Sequence, residues 1–296
     1  MSTRLTSFAC LALLAGCPGN PDPPCLVGRS DEFSAYLVQL RPQGASPANC
    51  PQGQQYQVLS ASQYGVPQHD APTPVTFTLV GSTVDPPSGA LASGTFTSFL
   101  VPADGSCVVP TLTPATDDEA TPVNAPTPTG SATYTFSEMR VLSDAPHRGR
   151  EFQARAVVDY KVPGCNALEY QAQAVFPITP CLNDSICLPE QVATDQTPPA
   201  GRGLGSQIAP DQRVFCNLDP ALLDNPEVTT WLSVYAEILT NNFDLQVGRD
   251  GYTDAQGEKH DVGVCFFSEP YPSLCPTGSS LSTSGPCIVG PGSNPH

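Results

Sequence analysis

The chain has 296 residues, 28 of them acidic and 12 basic, for a formal net charge of −16 and a pI of about 4.3. That balance excludes nucleic acid as a partner, because phosphate recognition needs Lys and Arg to release counterions. Its 34 Pro and 24 Gly are many, yet fewer than in a wholly disordered chain, and 40% hydrophobic residues supply a core.

In chain order, Arg4 gives a short basic start, Leu5 to Leu14 is mostly apolar, and Leu14-Ala15-Gly16-Cys17 closes the segment. At about 1.5 Å per residue this run reaches roughly half the hydrocarbon thickness of a bilayer, so it reads as an export signal and not as a span. The Leu-Ala-Gly-Cys ending resembles the lipobox of bacterial lipoprotein signal peptides. The resemblance covers these residues only. It implies a signal peptide of residues 1–16, cleavage before Cys17, a diacylglyceryl group on the Cys17 thiol, and a membrane partner reached through that lipid. Two or three acyl chains anchor stably where one is marginal. Pro18 follows the Cys where inner-membrane lipoproteins of some bacteria carry Asp, which implies the outer membrane, on either its periplasmic or its surface side. Residues 17–24, with four prolines, form a stiff tether of about 3 Å per residue.

Residues 25–180 read as β. Phe152, Ala154, Ala156, Val158 and Tyr160 alternate with Gln153, Arg155, Val157, Asp159 and Lys161, and Leu168, Tyr170, Ala172, Ala174 and Phe176 repeat the device. Tyr134 and Phe136 begin a partner strand that changes phase near Met139 and Val141, a sign of a bulge. Tyr36–Leu40, Gln55–Tyr64, Val75–Val84 and Thr95–Val101 are further strands. Short strands with Pro/Gly turns predict a mainly β fold, an immunoglobulin- or fibronectin-like two-sheet sandwich. Residues 110–130, rich in Thr and Pro, read as a long loop whose Asp117-Asp118-Glu119 is solvated charge. Tyr56, Tyr64, Phe77, Phe96 and Phe99 read as core and not as an exposed glycan platform.

Residues 181–296 read as a smaller, disulfide-rich α+β region, acidic and poor in bases. Asn225 as N-cap, Pro226 at the first helical position and apolar residues at helical spacing predict one helix over about 226–242. A hairpin is predicted over about 248–267, turning at Thr253–Glu258. Asp250, Asp254 and Asp261, with Glu258 and His260, form a weak calcium candidate whose spacing fails the EF-hand loop. The bland reading is a charged hairpin tip, so no metal is assigned.

Ten cysteines remain besides Cys10 and Cys17, namely Cys25, Cys50, Cys107, Cys165, Cys181, Cys187, Cys216, Cys265, Cys275 and Cys287. An even number in an exported chain predicts disulfides. Chain proximity favours Cys25–Cys50, Cys181–Cys187 and Cys275–Cys287, leaving Cys107–Cys165 and Cys216–Cys265 as the long-range pairs. Serine-elbow, metalloprotease and phosphate-loop motifs are absent from the sequence, and no catalytic residue or cofactor is assigned. The expectation is a lipid-anchored envelope protein with a binding or structural role, toward an envelope protein or a glycan. The alternative is a membrane-tethered hydrolase of glycans or peptides using paired carboxylates.

Overall fold

The computed structural model describes residues 24–28, 35–63, 71–82, 87–120, 130–143 and 148–181, and then shorter pieces at 214–217, 222, 225, 226, 228, 246–248, 251–253, 259–260, 263–267, 279–282 and 285–289. The signal segment, Cys17 and the tether up to residue 23 lie outside them. So do Cys187, Cys275, Asp250, Asp254, Asp261 and most of the predicted helix.

The fold is mainly β, as the alternation predicts. Nine strands make one antiparallel sheet: β1 (Tyr36–Pro42), β2 (Gln55–Gln63), β3 (Pro74–Leu79), β4 (Leu91–Thr95), β5 (Ser106–Thr111), β6 (Ala115–Asp117), β7 (Ala132–Leu142), β8 (Glu151–Tyr160) and β9 (Leu168–Val175). Their order is β4-β3-β2-β1-β9-β8-β7-β5, with β6 also on β7. The edge strands meet, since Thr97 N donates to Val108 O and Thr113 N to Ser93 O, both at 2.9 Å. The two faces of the sandwich-like core therefore belong to one sheet curled into a near-barrel. Gly94 permits the closure, because a Cβ there would lie 2.6 Å from Val109 Cγ1 and 2.8 Å from Thr111 O.

Directly paired residues share a face. Phe152↔Ala174, Ala154↔Ala172 and Ala156↔Tyr170 place the alternating apolar set of β8 and β9 inward. Tyr36, Phe77, Phe152 and Phe176 gather at one end, with ring centroids 5.0–5.9 Å apart. The bulge falls where the phase change predicts it: the β7–β8 register shifts between Ser137 and Arg140, and Glu138 has φ +51°. Just past the bulge β7 exchanges one partner for another, β5 pairing from Leu142 to Ser137 and β6 from Tyr134 to Ala132.

The structure corrects two sequence expectations in this region. Residues 110–120 are not one continuous loop, since β5 runs to Thr111 and β6 covers Ala115–Asp117. Leu112, Ala115 and Ala120 are buried, and β6 pairs with β7; residues 121–129 lie outside the described set. The Thr95–Val101 strand is displaced, since β4 ends at Thr95.

Beyond β9 come β10 (Pro180–Cys181), β11 (Val214–Asn217), β12 (Gln246–Gly248), β13 (Gly251–Thr253), β14 (Lys259–His260), β15 (Gly263–Phe267), β16 (Ser279–Ser282) and β17 (Gly285–Val289). β13 and β14 flank the predicted turn, with Thr253 opposite Lys259. β15 leaves that hairpin and joins β10 and β11 in another sheet. Asn225 Oδ1 accepts from Val228 N at 3.0 Å, the bond of a helix N-cap. Asn225 Nδ2 also donates to Tyr56 O (2.7 Å) and Asn217 Nδ2 to Tyr56 Oη (3.1 Å), tying this part to the outer face of β2.

Candidate functional site

Residues 24–28 form a strap across the aromatic end of the barrel. Cys25 is bonded to Cys107 of β5. Cys25 N donates to Phe99 O at 2.7 Å, and Pro24 pairs with Leu100 as an isolated antiparallel bridge. Val27 N donates to Gln63 Oε1 (3.0 Å), while Gln63 Nε2 donates to Cys25 O (2.7 Å). Ser143 Oγ donates to Leu26 O at 2.7 Å. At the far end of the strap Gly28 N donates to Tyr36 Oη (2.6 Å) and to Gly149 O (2.8 Å), and Tyr36 Oη donates to Gly149 O. Gly149 is required there: its φ is +74°, and a Cβ would run into the backbone carbonyl of Leu26.

Tyr36 is fully buried. Burial holds its phenol far above the usual tyrosine range, with a further push from Glu151. It therefore acts as a neutral hydroxyl that accepts one bond and donates another, pinning the strap to the barrel.

The opposite end is polar inside. Asp117 of β6 is 2% exposed, and burial raises its pKa against the lowering by the Glu119 N–H, which bonds Asp117 Oδ1 at 3.0 Å. Asp118 Oδ1 accepts from Ser82 Oγ at 3.2 Å. Of the acidic triplet, Asp117 is thus built into the fold and Asp118 is half-buried, whereas Glu119 is solvated as expected. Tyr160 and Tyr170, also at this end, have pKa values raised chiefly by burial. Among the described residues Asp117 and Glu151 are the buried carboxylates. They stand at opposite ends of the β7–β8 ladder, about 30 Å apart at 3.3 Å per residue. They do not form the close pair that acid–base hydrolysis needs.

Phe77 and Phe96 are core residues; Tyr56 is buried on the outer face, beside Gln39, Phe99 is half-buried, and Tyr64 lies outside the described residues. On the outer face, Gln39, Gln173 and Gln153 stand side by side on β1, β9 and β8, all nearly buried. This glutamine row has no signal in hydropathy.

The cysteines pair otherwise than chain proximity suggests. Cys25 is bonded to Cys107, Cys50 to Cys165 and Cys181 to Cys216. Cys265 is also disulfide-bonded, while standing opposite Cys216 in the β11–β15 ladder. The expected Cys25–Cys50, Cys107–Cys165, Cys181–Cys187 and Cys216–Cys265 bonds are therefore overturned. Strand order decides: Cys50 lies in the β1–β2 connection and Cys165 in the β8–β9 connection, and β1 pairs with β9.

Residues 33–177 match the MlpA family model. The family name is consistent with a lipoprotein-type protein. The MlpA match spans the barrel from just before β1 to just after β9, leaving the strap and the C-terminal sheets outside. No curated protein and no solved structure matches the chain.

Proposed function

We propose that this chain is an exported lipoprotein, anchored through a lipid on Cys17 at the outer membrane, whose barrel has a binding or structural role in the cell envelope. The strap carries the reading. The covalent staple at Cys25 lies eight positions beyond the lipobox cysteine, so an anchor on Cys17 pulls directly on the barrel end. The MlpA match and the disulfides of the described residues support it, because disulfides persist in oxidising compartments outside the cytosol. Replacement Cys17→Ser tests the proposal. The variant is expected to lose labelling by a fatty-acid analogue and to leave the membrane fraction. Labelling or membrane retention equal to the natural chain would refute it.

A further inference from the structure

We propose that the strap face of the barrel is a membrane-docking surface that lies against phospholipid headgroups. This rests on the anchor proposed above. Among the described residues the exposed large apolar side chains are Leu26 and Leu100, at 38% and 43% exposure. They belong to one surface. The Pro24↔Leu100 bridge puts Pro24 and Leu100 on the same side of a two-strand ribbon, and Leu26, two residues on, shares that side. Cys25, between them, points the other way into the core and bonds Cys107.

The leucines thus face away from the barrel at the end where the chain arrives from Cys17. Seven residue steps separate Cys17 from Pro24, which span at most about 25 Å. Any lipid on Cys17 therefore holds this face within reach of the headgroups, whereas the turns holding Cys50 and Cys165 are a full strand length farther away. The charge is favourable as well. Exposed Arg148 and half-buried Arg150 flank Gly149, which holds the strap, while Arg140 on the same end is offset by Asp104 at 3.9 Å. Guanidinium groups at that level are attracted to anionic lipid in a molecule that is otherwise strongly acidic.

The test uses the full lipidated chain in vesicles of phosphatidylethanolamine and phosphatidylglycerol, in a Trp231→Phe background. Leu100→Trp reports the strap end and Gln54→Trp the opposite end. Emission from the Leu100→Trp variant is expected to be blue-shifted and quenched by brominated lipid, while the Gln54→Trp variant is not quenched. A second measurement does not depend on the anchor. Unlipidated Cys17→Ser chain should bind the same vesicles about tenfold more tightly than the same chain carrying Leu26→Ser and Leu100→Ser, the ratio expected for partial immersion of two leucines. Co-flotation with no quenching at either position, together with equal binding of the two unlipidated chains, would overturn the docking alone and leave the strap leucines to a protein partner. A chain that fails to float with vesicles removes the anchor and the docking proposal with it.

Discussion

The Cys50–Cys165 bond joins residues 115 apart in sequence and closes the barrel end opposite the strap. Replacing both by Ala leaves the turns their own bonds. Asn49 Nδ2 still donates to Pro163 O at 2.7 Å, and Cys50 N and Cys165 N keep their local carbonyls. The loss falls mainly on the unfolded chain. In the loop-entropy treatment a closed loop of this length is worth about 5 kcal/mol at 25 °C. The Cys25–Cys107 loop, of separation 82, interleaves with it, which shortens the effective loop but lowers the figure by only a few tenths of a kcal/mol, because the dependence is logarithmic. For a chain of this size about 2–4 °C accompanies each kcal/mol, so the double variant should melt roughly 10–20 °C lower. Calorimetry of the two proteins checks this, with non-reduced peptide mapping to show that Cys25–Cys107 is intact. A decrease below about 3 °C would refute the reasoning, since it would mean that the unfolded chain is not restricted by the bond.

The remaining predictions concern the two ends of the barrel. Tyr36→Phe removes a hydroxyl that accepts from Gly28 N and donates to Gly149 O; because Gly28 N and Gly149 O still bond each other, denaturant unfolding should show a loss of about 1–1.5 kcal/mol, not the full cost of an unsatisfied group. Gly149→Ala combines a positive φ with a collision at the Leu26 carbonyl and should cost about 2–4 kcal/mol while making the strap accessible to limited proteolysis. Asp117→Asn addresses a carboxyl whose pKa is raised by burial. A native pKa above the unfolded one gives stability that is present below the unfolded pKa and lost as pH rises through the native value. The variant should therefore melt higher than the natural protein at pH 7, and the difference should vanish near pH 3; a pH-independent difference would refute the assignment.

Much of the barrel is legible in the sequence wherever inward residues are large and outward ones polar, as in β8 and β9. The bulge is legible for the same reason, as a change of phase. What hides β6 is its inward set, a small Ala115 and a buried carboxylate at Asp117, which hydropathy reads as loop. The outer glutamine row is invisible because polar residues on the second face of a strand imply solvent, whereas Gln39, Gln153 and Gln173 are buried. Disulfide partners could not be read from spacing, since they follow the pairing of β1 with β9 and the path of the strap. The strap itself carries no periodic signal. Its five residues are held by a cysteine and by hydrogen bonds to positions up to 121 residues away, the farthest from Gly28 N to Gly149 O.

The strap also explains how so small an apolar surface could act at a membrane. Two half-exposed leucines are common on monomeric proteins and, in free solution, bind lipid weakly. Attachment changes the arithmetic. A short tether makes docking intramolecular, with an effective concentration of millimolar order instead of the dilute concentration of a free protein. That gain requires the tether to end at the docking face. A chain of the same length entering beside the Cys50 turn would hold the leucines about 30 Å from the bilayer, the length of a strand of nine or ten residues. Because Cys25–Cys107, Tyr36 and Gly149 fix the strap to the barrel, the proposed lipid cannot shift to another edge by fraying of the first residues. The orientation is thus set by where the strap is stapled, and cutting that staple should randomise it even when the lipid remains. Leu100→Trp quenching compared between the intact chain and a Cys25→Ala/Cys107→Ala variant, both floating with vesicles, measures that dependence; unchanged quenching would show that the staple does not set the orientation.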